Sequence, residues 1–103
     1  MYKEVLENNC VEQTSEFTLK ILTYEVGKIH QIDVYSERFG DIGYKGDRKV
    51  EVGDILTMIS LYIEQLGYDL EEIKREGLER LKDRIKEVRK VQLEKEYGDG
   101  KNR

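Results

Sequence analysis

Glu25, Glu51 and Asp54 are the residues of this chain whose surroundings ask for chemistry. Three positions before Glu25, and four and seven after it, stand Leu22, Ile29 and Ile32, which share one helical stripe with it. Glu51 and Asp54 are three apart, so a helix puts them on one face, and an almost wholly apolar run follows them. A carboxylate set among apolar side chains is costly unless donors or a cation compensate it. Three carboxylates converging from two helices suit a hard, oxygen-loving divalent ion such as Mg²⁺. The plainer alternative is that first-turn acids are simply favoured by the helix dipole, with Glu25 paired to a base on another helix. Lys45, Arg48 and Lys49 lie just before Glu51. Beside a metal they are candidates to hold a phosphate chain; otherwise they belong to an ordinary solvated loop.

The elements that must position these residues are helical. The chain has 103 residues, no proline and 39% charged residues, with 18 Lys and Arg against 22 Asp and Glu and a net charge of −4. One domain is expected at this length. The acidic balance argues against a partner that is a polymeric nucleic acid. No apolar run reaches the roughly 18 residues of a membrane span, and no secretory leader is visible at the N-terminus. One cysteine, Cys10, excludes an internal disulfide and a cysteine-based zinc site. A cytoplasmic setting is the expectation that follows.

The spacing of Phe17, Ile21, Tyr24 and of Leu22, Val26, Ile29 predicts a helix over 11–35, with Ser15 as a candidate cap. Residues 1–10 read equally as a frayed turn or as the start of that helix. Gly40, Gly43 and Gly46 break the pattern over 36–48, which predicts a loop; they are not followed by the Gly-Lys-Ser/Thr of a phosphate loop. Tyr44 in that stretch is the best candidate for base stacking, whereas Tyr24 and Tyr62 read as core or interface. A second helix over 49–66 carries Val52, Leu56, Ile59, Ile63 and Leu66, widened by Ile55, Met58, Leu61 and Tyr62, and should be central and buried, or sandwiched between partners. Gly67 should end it in a left-handed cap. Asp69, with Glu72 three residues on, has capping-box spacing for a third helix to about Tyr97, and residues 98–103 should be a disordered tail. The expected fold is therefore all-α: long helix, loop, buried helix, tight turn, long helix, in one domain over 1–97. A three-helix chain with one helix so apolar points to a helical bundle completed by oligomerisation.

Tyr24-Glu25-Val26-Gly27-Lys28-Ile29 followed by Glu51-Val52-Gly53-Asp54-Ile55-Leu56 resembles the MazG-like nucleotide pyrophosphohydrolases, an all-α NTP pyrophosphatase superfamily. The family pattern is Glu-x-x-Glu, a gap, then Glu-x-x-Asp; here 22 residues separate Lys28 from Glu51. Leu66-Gly67-Tyr68-Asp69-Leu70-Glu71-Glu72 is similar to the family's turn into its next helix, and the likeness runs from about Glu12 to Val88. It implies a homodimer or homotetramer that hydrolyses a nucleoside triphosphate to the monophosphate and pyrophosphate. It also implies Mg²⁺, or Mn²⁺ in its place, on Glu25, Glu51 and Asp54, with no general base identified.

Two departures matter. Lys28 stands where the family has its second acid, and Gly77 and Leu81 fall where it often has Lys and Asn for the nucleotide. His30 is no replacement ligand, being about 140° around the helix from Glu25. Asp33 is on nearly the same side but about 12 Å along the axis. Lys28 either points away and leaves a weakened metal site, or replaces the metal as a permanent ion pair. In the second case the chain is a catalytically silent helical oligomer that binds a partner or a nucleotide.

Overall fold

The computed structural model describes residues 1–40 and 47–101. They form four helices, with no strand among the described residues: α1 (Tyr2–Asn8), α2 (Ser15–Phe39), α3 (Arg48–Gln65) and α4 (Leu70–Lys101). The all-α expectation holds. No described helix is long and apolar enough to cross a membrane. The chain divides into two units, Met1–Asp69 and Leu70–Arg103.

In the first unit α2 and α1 both pack on α3. Lys28 reaches Glu51, Asp33 pairs with Arg48, and the Gln13 carbonyl accepts from Gln65 at 2.8 Å. Later residues of the α2 segment thus meet earlier residues of α3, so the two helices run antiparallel. Among the described residues, Ile32 of α2 and Leu61 of α3 are the buried apolar ones, and Thr18 and Ser60 are fully buried polar ones. Each hydroxyl donates to the carbonyl four residues back, Thr18 to Thr14 and Ser60 to Leu56, so neither is left without a partner.

Several expected boundaries shift for identifiable reasons. The first ten residues do not extend the long helix but make a separate one. Cys10 adopts a positive φ of 54° and is exposed, a backbone state that no helix continues through. The cap of α2 is Thr14 rather than Ser15: its hydroxyl accepts from the Phe17 amide at 3.1 Å, the bond an N-cap makes. At its other end α2 runs past Tyr35 to Phe39, where the two rings, four residues apart, pack with centroids 5.4 Å apart. Gly40, at φ 71°, ends it. Asp47 begins α3 by accepting from the Lys49 amide at 2.9 Å. Gly67 ends it as expected, at φ 81°. The Tyr68 amide bonds Ile63 and the Gly67 amide bonds Glu64, both carbonyls of the last turn, which is a Schellman closure.

The second helix was expected to be central and buried, or sandwiched between partners. It is buried at Ser60 and Leu61, while Val52, Leu56 and Ile59 are about half exposed; the α1 and α2 contacts do not cover a seam that spans nearly the whole circumference. In the second unit α4 carries Leu78, Leu81, Ile85 and Val88 along one stripe among charged, strongly helix-forming residues. Lys74 pairs with Glu71 at 3.3 Å and Lys82 with Glu79 at 3.2 Å. The helix passes the expected end at Tyr97 and reaches Lys101; a glycine at 98 weakens a helix without ending it.

Candidate metal centre

Glu25 projects from the middle of α2, and Glu51 and Asp54 from the first two turns of α3. The antiparallel pairing brings them together: each offers a carboxylate oxygen, and the three oxygens lie within 4.8 Å of one another. Glu25 and Glu51 are deep in the contact, their side chains 12% exposed, and Asp54 is at the solvent edge. The apolar stripe flanking Glu25 is what aims its carboxylate at α3 rather than at water.

Lys28 is at the same place. Its Nζ lies 3.5 Å from Glu25 Oε2 and 4.0 Å from Glu51 Oε2, and 4.7 Å from the centre of the Tyr24 ring. One turn of helix separates Lys28 from Glu25, and the ring four residues before it supplies the cation–π face. These ion-pair distances are longer than the roughly 2.7–2.9 Å of a charge-assisted hydrogen bond. Accordingly Glu25 Oε2 and Glu51 Oε2 are buried oxygens with no hydrogen-bond donor. The ammonium lowers the field on both carboxylates and satisfies neither.

The titration of the cluster reflects this. Burial pushes the Glu51 carboxyl above its ordinary range, helped by the neighbouring Glu25 and Asp54, with Lys28 opposing. Burial pulls Lys28 down, but Glu25 and Glu51 outweigh it and hold the ammonium above the ordinary lysine range. By residue type the group is three acids and one base. The three carboxylates could hold a metal ion, and two of their oxygens, on Glu25 and Glu51, are buried without a hydrogen-bond partner.

Of the expected phosphate-binding residues, Lys45 lies outside the described residues, as does Tyr44. Arg48 is half exposed and pairs with Asp33, so its guanidinium is engaged at the far end of α2. Lys49 is exposed beside it at the start of α3. Spacing alone had placed Asp33 too far along α2 to serve the cluster, and its partner is indeed another group. Tyr24 read as core or interface; it is 64% exposed and its ring faces Lys28, a role its four-residue spacing from that lysine could have announced. No family model, no curated protein and no solved structure matches this chain.

Proposed function

We infer that this chain is a divalent-cation-dependent hydrolase of phosphoanhydrides, of the type that converts a nucleoside triphosphate to its monophosphate and pyrophosphate. One observation carries this: Glu25, Glu51 and Asp54 converge from two helices while two of their buried oxygens have no donor. Mg²⁺, when bound, neutralises phosphate oxygens and lowers the pKa of a water. The chain's own part is to hold that charge with two buried carboxylates and one exposed one. Asp54 at the solvent edge leaves a side open for a phosphate. Lys49, and Arg48 once released from Asp33, supply positive charge at the start of α3. The half-exposed Val52, Leu56 and Ile59 support a functional unit of more than one copy, a homodimer or homotetramer.

Release of pyrophosphate from the common ribo- and deoxyribonucleoside triphosphates in Mg²⁺ tests the inference. Turnover of at least one of them is expected, lost in EDTA and in Asp54→Asn, an exposed position where the fold should survive. Absence of turnover from every one, in Mg²⁺ and in Mn²⁺, removes the hydrolase. A second reading then stands, favoured by the position of Lys28: a silent helical oligomer that binds a nucleotide or a partner. Nucleotide binding without pyrophosphate release is its signature.

A further inference from the structure

The apolar stripe of α4 has sorted charges on either side of it. Leu78, Leu81, Ile85 and Val88 are each about half exposed, and their 3-4-3 spacing is the seven-residue period of a helix that packs along another helix. With Leu78 and Ile85 at a and Leu81 and Val88 at d, Arg75, Lys82 and Arg89 fall at the e positions and Arg84 at a g position, with Gly77 and Val91 at the other two. No acid stands at any of these. The acids between 74 and 95, Glu76, Glu79, Asp83, Glu87 and Glu94, all fall at b, c or f, on the back of the helix. Residues 74–95 hold nine bases against those five acids, in a chain whose net charge is −4. Lys82 touches Glu79 at 3.2 Å, but both side chains are more than half exposed, so water screens the contact and a partner's carboxylate can replace it.

We propose that this face of α4 is a docking surface for an acidic amphipathic helix of another protein, one with apolar a and d positions and Asp or Glu at e and g. Charge complementarity selects that occupant. A second α4 is opposed, because parallel pairing sets Arg84 against Arg89 and antiparallel pairing sets e against e, base on base either way. Anionic lipid headgroups also suit the bases, but a lipid surface takes up a broad apolar face with bulky aromatic residues. Here the apolar face is a two-heptad seam of Leu, Ile and Val with no aromatic residue on it. A seam that short holds a partner helix only weakly by itself, so the flanking charges decide which helix it takes.

Fluorescence anisotropy on the full chain tests this with two synthetic helices that share a Leu seam as long as residues 74–95. One carries Glu at every e and g position, the other Lys. The wild type is expected to bind the Glu helix and to discriminate against the Lys helix by about tenfold or more, from several flanking pairs acting together. Added salt should narrow the gap. Arg84→Glu combined with Arg89→Glu leaves the seam intact and should reverse the preference. Ile85→Asp should weaken both helices, with circular dichroism showing that α4 is retained. Equal binding of the two helices, or binding of neither, overturns the proposal. Capture of the wild type by vesicles of equal parts phosphatidylserine and phosphatidylcholine, without discrimination between the helices, assigns the face to lipid and overturns it. So does a wild-type oligomer that Ile85→Asp dissociates, which puts a second copy on the seam.

Discussion

Glu51 and Glu64 stand near opposite ends of α3, with side chains 12% and 19% exposed, and their carboxyls are displaced in opposite directions. Burial pushes both upward. At Glu64 it is outweighed: the Met1 ammonium donates at 2.9 Å and the Lys3 amide at 2.7 Å, so the carboxyl is held below its ordinary value of 4.5. At Glu51 it is reinforced by Glu25 and Asp54, and the Lys28 ammonium stays at 4.0 Å. One helix therefore carries a finished carboxylate and an unfinished one. The finished carboxylate caps the first turn of α1, whose amides have no partners within the helix, and fastens α1 to α3. The unfinished one keeps its lone pairs for something else. Burial alone does not separate a structural acid from a candidate ligand; the count of donors does.

The largest expected effect that would break this contrast is at Glu64. Glu64→Ala should lower stability by about 1–2 kcal/mol, toward the low end for hydrogen bonds to a charged group because part of the side chain meets water. Chemical denaturation reads the loss, and a value near zero would mean the cap is ornamental. The same bonds give a pH dependence. A carboxyl lowered in the folded state contributes stability that is complete above 4.5 and is lost as pH falls through the lowered value. The Lys3 amide resonance should shift in that acid range, and its constancy would sever the link between Glu64 and α1.

A neutral reference lies at Thr18, fully buried, whose hydroxyl donates to Thr14 and accepts from Gln13 Nε2 at 2.8 Å. Thr18→Val keeps the shape and strands the Gln13 amide, so a loss of about 1 kcal/mol is expected by thermal denaturation. The smallest effect should have the opposite sign. Glu51→Gln keeps the volume and removes a charge that lacks a donor; in EDTA the melting temperature should stay level or rise. A clear fall would show that the Glu51 charge is already satisfied by Lys28 and that no cation is wanted.

The helix pair that builds the centre is legible from the apolar spacing, since long helices repeat their period enough times to be read. Glu25, Glu51 and Asp54 were legible for the same reason: each interrupts or opens an apolar stripe. Lys28 was legible as a conflict, because its three-residue step from Glu25 puts an ammonium on the face the acids share. α1 was not, since seven residues hold too few turns to show a period, and the group that caps it is 61 residues away. Glu64 gave no local sign of its role, because its donors come from another element. The apolar seam of α3 left two readings open, burial within the chain or a place between partners, because composition reports how apolar a helix is and not how many neighbours it has.

Thr18 and Ser60 have one further consequence. Both hydroxyls bond backward into their own helices, so neither ties α2 to α3. The polar ties between the α2 segment and α3 lie elsewhere: the ion pairs of Lys28 with Glu51 and of Asp33 with Arg48, and the Gln65 amide donating to the Gln13 carbonyl. Of these only Lys28 is beside the three carboxylates, at 3.5 Å from Glu25 and 4.0 Å from Glu51. The three carboxylates are therefore held at their spacing by the packing of α2 on α3 and by one long ion pair beside them.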